Sequence, residues 1–251
     1  MRALIGFEKE FKIISNNLIK EKLNNSVLVA GNKGIGKYFF ITKIIQECIN
    51  LKINSDQINH HLTLLYNNSH PNVKLLQKKI EEKTGKVKNN ITIDQIRELN
   101  NFIIETSVIE NFPKFIIIDS ADDLNVSASN ALLKILEEPK KNTYFFLVSH
   151  HPSSLLLTIK SRCLKLNLPS HNFNNFENIL ISNNLSYDDE ILKLLFDITN
   201  GSPGLSVEYN LDNIKDQFDD LKKSLIDGDV FSYTNNYLIE TFSNFENEKL
   251  D

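Results

Sequence analysis

The stretch that decides the fold runs Phe115-Ile116-Ile117-Ile118-Asp119-Ser120-Ala121-Asp122. It continues through Ser129-Asn130-Ala131-Leu132-Leu133-Lys134-Ile135-Leu136-Glu137-Glu138-Pro139 and Tyr144-Phe145-Phe146-Leu147-Val148-Ser149, and closes on Ser161-Arg162-Cys163. The two apolar runs do not alternate, which suits central parallel strands covered on both faces. Between them Ala128, Ala131, Leu132, Ile135 and Leu136 recur at helical spacing, with Ser127 expected as the N-cap and Pro139 just beyond the end. The unit is strand, helix, strand, with Asp119 at a strand tip. In an open parallel sheet the carboxyl edge is where ligands bind.

Upstream, Val27-Leu28-Val29-Ala30 predicts a short buried strand that runs into Gly31-Asn32-Lys33-Gly34-Ile35-Gly36-Lys37-Tyr38. Ile41, Ile44, Ile45, Cys48 and Ile49 then line one helical face. Strand, glycine loop and helix is the setting in which Gly-x-x-x-x-Gly-Lys reads as a phosphate loop. Glycines let successive N–H groups turn toward one anion, the helix start adds positive potential, and Lys37 reaches the outer phosphates. The bland alternative is a tight strand-to-helix turn. Two positions depart from a hydrolytic site. The residue after the loop lysine, normally a Ser or Thr that holds magnesium, is Tyr38, and the residue after Asp119, which should be a water-orienting carboxylate, is Ser120. Asp122 and Asp123 are expected to serve the start of the following helix.

Composition narrows the classes. No run reaches the roughly 18 apolar residues of a spanning helix, and Met1-Arg2-Ala3 does not open a secretory signal, so a soluble cytoplasmic protein is expected. Two cysteines, Cys48 and Cys163, give neither a disulfide framework nor a four-cysteine zinc site and read as small core residues. The adjacent pairs His60-His61 and His150-His151 lack the spacing of metal ligands, and no metal site is expected. A net charge of −4 offers no general basic field for nucleic acid. Within 28 Lys plus Arg, arginine appears only at positions 2, 97 and 162. Where a solvated cation would be lysine, Arg162 suggests a need for the planar fork. It could be merely solvated, or it could be donated to a phosphate on a neighbouring subunit.

The rest of the chain is expected as an entry helix within Ile5 to Leu23, a second strand at His61 to Tyr66, and a helix from Ile91 to about Val108. A polar linker from Pro169 to Asn175 and short helices from Phe176 to Leu205 follow. Ser149, at a strand end, could sense a terminal phosphate.

Taken together, the phosphate loop, His70-Pro71, Ile93-Asp94-Gln95-Ile96-Arg97-Glu98-Leu99, Ile118-Asp119, Asn130 to Pro139 and Ser161-Arg162-Cys163 resemble the delta-prime family of the bacterial DNA polymerase III clamp loader, in the AAA+ superfamily. The resemblance covers roughly Ile5 to Gly204. It implies an α/β fold: an AAA+ P-loop domain with a five-stranded parallel sheet, expected over 1–168, a small helical lid, expected over 169–210, and a C-terminal helical collar domain, from which this sequence departs with an expected short helical segment at 211–251. It also implies a non-hydrolysing subunit that assists loading of the sliding clamp onto primed DNA, with ATP-binding gamma/tau-like and delta-like subunits as partners. Arg162 would be a trans arginine finger. Gly31, Gly34, Gly36, Lys37 and Asp119 would form a vestigial nucleotide site, with no cofactor required and any ATP or ADP binding weak. The zinc module of many relatives is absent. Two other classes fit parts of the pattern: an ATP-hydrolysing gamma/tau-like motor, and a P-loop phosphotransferase, which the lack of an arginine-rich lid disfavours.

Overall fold

The structure, a computed structural model, describes residues 3–81 and 85–208. Among them the core is a five-stranded sheet: β1 (Ser26–Ala30), β2 (Val73–Leu76), β3 (Lys114–Ile118), β4 (Thr143–Ser149) and β5 (Leu164–Asn167). The spatial order is β2-β3-β4-β1-β5, with every pairing parallel. The expected five-stranded parallel sheet is therefore present. The unbroken apolar runs take the centre, because only strands covered on both faces can hide side chains pointing both ways. β1, β3 and β4 are buried at every residue, whereas edge strands β2 and β5 keep exposed positions.

Alternation along these strands feeds two cores. Val27, Val29, Phe115, Ile117, Phe146 and Val148 face one side, against α1 (Glu8–Ile19), α2 (Lys37–Lys52) and α3 (Ile58–Tyr66). Leu28, Ile116, Ile118, Phe145 and Leu147 face the other, against α4 (Ile93–Ile104), α5 (Val126–Glu137) and α6 (Leu157–Arg162). Cys48 and Cys163 lie in these cores, and burial pushes their thiols up to about 12 and about 11, as inert packing residues require.

Several local expectations are corrected. His61 to Tyr66 is helix rather than strand: only Leu62 and Leu65 of α3 are buried, and their spacing of three is helical. The second strand begins instead at Val73, after His70-Pro71-Asn72. Asn72 ties that corner to the next strand, donating Nδ2 to the Phe112 carbonyl at 3.1 Å and accepting Phe115 N–H at 2.8 Å. The N-cap of α5 is Asn125, whose Oδ1 accepts Ala128 N–H at 2.8 Å, so Ser127 sits within the first turn. α4 opens on a Thr92/Gln95 capping box and stops at Ile104, short of Val108, where Glu105 turns extended. There the buried Lys114 donates its Nζ to the Phe102 and Glu105 carbonyls, satisfying acceptors that the helix end leaves open.

After β5 come α7 (Phe173–Ser182), α8 (Asp189–Ile198) and α9 (Pro203–Glu208), packed on a small core of Phe176, Leu180, Leu192 and Leu195. The segment expected at 211–251 lies outside the described residues. Among the described residues no helix is long and apolar enough to cross a membrane.

Candidate functional site

Register brings the strand tips together. Ala30 pairs with Ser149, and Ile118 with Leu147, so the glycine loop, Asp119 and the turn after β4 share one carboxyl edge. β1 sits between β4 and β5, so the loop opens where chain direction across the sheet switches.

Two glycines have geometric reasons. Gly36, at φ 94°, caps α2 with a left-handed backbone. Gly34, at φ 79°, approaches α9 so closely that a Cβ would lie 2.7 Å from Leu205 N, and its carbonyl accepts Gly204 N–H at 2.8 Å. The Gly201-Ser202-Pro203-Gly204 corner is thus docked on the loop by backbone contact. The stretch from Pro169 to Asn175, expected as a linker, is stitched down too. His171 is buried, its ring Nε2 lies 3.0 Å from the Ile35 carbonyl, its own N–H donates to Gly201 O, and α7 begins already at Phe173. An apolar cavity of about 230 Å³ flanks the loop, lined by Leu4, Ile5, Gly36, Phe39, His171 and Pro203. Sequence reasoning missed Leu4, Ile5 and His171 as neighbours of the loop, since nothing local in them signals a site.

Lys37 is buried and folded back, its Nζ donating to the Gly31 and Asn32 carbonyls at 2.5 and 2.6 Å. Burial lowers its pKa to about 8, against the pull of Asp119 and Asp122. Asp119 stands at the tip of β3, its carboxyl raised by burial although Lys37 opposes the shift. The Tyr38 hydroxyl donates to Asn68 Oδ1 at 2.7 Å, beyond the end of α3 and away from the cradle. These residues can form an anion cradle, but no hydroxyl follows the lysine in a position to hold a metal.

Asp122 does not serve the start of α5. It lies in a 3-10 turn, Ala121–Asp123, and its carboxylate crosses to β4. It accepts Ser149 Oγ–H at 2.7 Å, His150 N–H at 2.5 Å, Ser120 Oγ–H at 3.0 Å and His151 N–H at 3.4 Å. Burial pushes this carboxyl up, but the hydrogen bonds from His150 N–H, Ser149, Ser120 and His151 N–H outweigh it and hold it below the usual carboxylate range. The Ser149 hydroxyl, considered as a phosphate sensor, is committed to this carboxylate. Asp123 instead pairs with Lys78 at 3.3 Å.

Three of the histidines, His70, His150 and His171, are held by the fold around them. Buried His70 accepts Asn72 N–H on Nδ1, its Nε2 lies 3.3 Å from His61 Nδ1, and burial pushes it down to about 4. Burial likewise pushes His150 down to about 4 and lowers His171. Among the described residues no group of three or more metal-ligating side chains forms. A histidine held neutral by the fold contributes stability that is full above its unfolded pKa of about 6.5 and is lost as pH falls toward the folded value. Stability is therefore expected to drop by about 2–5 kcal/mol between pH 7 and pH 5, since one pKa unit is worth about 1.4 kcal/mol. Urea midpoints at the two pH values measure this, and equal midpoints would contradict the neutral assignment.

Arg162 lies elsewhere. Leu164, two residues on, pairs with Val27, four residues before Gly31. At about 3.3 Å per residue the strand alone separates these levels by about 13 Å. Arg162 thus stands toward the amino edge of the sheet, away from its own glycine loop. Its Nη2 donates to Glu137 Oε1 at 2.6 Å and its Nη1 to the Thr158 carbonyl at 2.9 Å, beside an open polar groove lined by Asn24, Asn25, Ser26 and Ser161.

Residues 6–172 match the family described as DNA polymerase III, delta subunit. A DNA polymerase III subunit delta' of Pseudomonas aeruginosa is 41% identical over 106 residues, covering 42% of this chain and 30% of that protein. The Bacillus subtilis subunit delta' is 29% identical over 193 residues, covering 75% and 55%. A DNA polymerase III subunit gamma of Buchnera aphidicola is 30% identical over 205 residues, covering 80% and 54%. The chain spans between 30% and 55% of the length of these relatives. Among solved structures, the Thermotoga maritima RuvB Holliday junction branch migration motor is 13% identical at a TM-score of 0.49, covering 81% of this chain and 60% of that one.

Proposed function

The chain belongs to the DNA polymerase III delta subunit family, and on that premise we propose that it is a delta-prime-type, non-hydrolysing subunit of a clamp loader, working in the bacterial cytoplasm. It would stand beside an ATP-binding gamma/tau-like subunit, with a delta-like subunit in the same assembly, and help place the sliding clamp on primer-template DNA. The observation that carries the inert reading is Ser120. Where hydrolysis needs a carboxylate to orient water, a hydroxyl donates to Asp122 Oδ2 at 3.0 Å and accepts Asp122 N–H at 3.2 Å. The neighbouring acid, Asp122, is saturated by hydrogen bonds and cannot take its place.

If a nucleotide binds, Gly31, Gly34, Gly36 and Lys37 would hold its phosphates, with the cavity at Leu4 and Ile5 for the apolar part. Lys37 would first have to leave the Gly31 and Asn32 carbonyls, which fits weak occupancy. The nucleotide would supply structural anchoring rather than chemistry at this site.

For Arg162, the support is its position. The guanidinium sits away from its own loop yet is a third exposed, so a phosphate that it touches would belong to another molecule. An arginine supplied in this way stabilises charge developing on a transferring phosphoryl group.

The match to a gamma subunit keeps a second reading, an active motor using Lys37, Asp119 and an unconventional water-orienting acid such as Asp122, whose hydrogen bonds to Ser149, His150 and Ser120 disfavour it in that role. ATP turnover by the purified chain separates the two. The expected result is no magnesium-dependent hydrolysis above background and no change in Lys37→Ala. Sustained turnover abolished by that substitution would establish the motor instead.

A further inference from the structure

We propose that Glu137 is the positioning residue for Arg162, holding the guanidinium so that its remaining N–H edge faces the neighbouring phosphate; this rests on the finger reading above. Arginine carries a long, freely rotating stem, and a group that must meet a transition state gains from being oriented beforehand. Here two helices grip it. Thr158 O, one turn back on α6, takes Nη1 at 2.9 Å, and Glu137 Oε1, from the last residue of α5, takes Nη2 at 2.6 Å. Acceptors on two different terminal nitrogens fix the plane of the group rather than its tip alone.

Both backbones behind the contact are anchored. Leu136, beside Glu137, and Cys163, beside Arg162, are buried in the same core cluster, so the carboxylate and the guanidinium project from fixed points. The pair adds little to the fold, since its side chains are 33% and 49% exposed and surface ion pairs are weak. Its geometry is nevertheless short and shared with a backbone carbonyl. The fork has five N–H donors, so the two bonds leave N–H groups free for phosphate oxygens, and the pair borders an open polar groove lined also by Asn24, Asn25 and Ser26.

The test is a double-mutant cycle in the clamp loader reconstituted from the full chain and its ATP-binding gamma-type and delta-type partners. ATP turnover is read with clamp and primed DNA for wild type, Glu137→Gln, Arg162→Ala and the double variant. Glu137→Gln keeps an acceptor but loses the charge that fixes the fork. It is expected to lower kcat about 3- to 30-fold with little change in KM for ATP or in the melting temperature of the chain, the range of coupling seen between contacting residues. In the Arg162→Ala background it should have no further effect. Equal losses in both backgrounds, no loss beside an impaired Arg162→Ala, or a gain in turnover would each overturn the role of Glu137 and leave the finger reading standing. An unimpaired Arg162→Ala would remove the finger reading itself, and this inference with it.

Discussion

Arg162→Ala and Arg162→Lys are both expected to leave the complex assembled and to cut DNA-stimulated ATP turnover at the adjoining site, and clamp loading with it, by about 10³-fold or more. The magnitude follows from what a guanidinium contributes when aimed at charge that develops only in the transition state, in a site sheltered from water. Folding should be nearly untouched. The ion pair with Glu137 is half in solvent, and such pairs contribute about 0–1 kcal/mol. Lysine should not rescue, because an ammonium cannot span Glu137, the Thr158 carbonyl and a phosphate at once as a planar fork can. The measurement is turnover and loading by the reconstituted assembly, with size-exclusion chromatography to establish assembly. Rates at the wild-type level in both variants would end the finger assignment, and loss of assembly would reassign Arg162 to subunit docking.

The second large effect is on stability. Asp122→Ala is expected to destabilise the chain by about 3–5 kcal/mol, because it strips one acceptor group from Ser149 Oγ, His150 N and Ser120 Oγ at once and leaves buried donors unsatisfied. Asp122→Asn, which keeps one acceptor oxygen, should cost about 1–3 kcal/mol. The pH sign gives an independent check. The folded carboxyl lies below its ordinary value, so its contribution is complete above the usual carboxylate pKa and is lost as pH falls through the folded one. In Asp122→Ala that part of the acid dependence should vanish, while the histidine-driven part above it remains. Denaturant midpoints for the three proteins from pH 7 to pH 3 decide the matter. A loss within about 0.5 kcal/mol for Asp122→Ala would mean that water satisfies the turn after β4.

Much of this was legible in the chain because it rests on rules acting over a few residues. Phe115 to Ile118 and Tyr144 to Val148 suit central strands, since a strand covered on both faces buries apolar side chains pointing both ways, and both runs are strands buried at every residue. Gly31 to Lys37 between a buried strand and an apolar helical stripe could only be a tight loop at a helix start. His61 to Tyr66 misled because a short apolar run is ambiguous between strand and helix, and the choice fell to which two leucines the core could accept. Ser127 misled because both Asn125 and Ser127 are good caps. Asn125 is held in place by the bond of its own N–H to Ile91 O, a partner on another element.

The sequence by itself determined the central strands, the glycine loop, and the departures from the hydrolytic pattern at Tyr38 and Ser120, because strand burial and the identity of the side chain at positions 38 and 120 are local properties. Only the tertiary structure decided that Asp122 turns toward β4 instead of α5, that His171 and Gly204 clamp the loop, and that Glu137 meets Arg162 across 25 residues. Each of these is a hydrogen bond between elements far apart in the chain. Such a bond forms where packing of the two cores brings a donor and an acceptor within about 3 Å, a distance that no periodicity encodes.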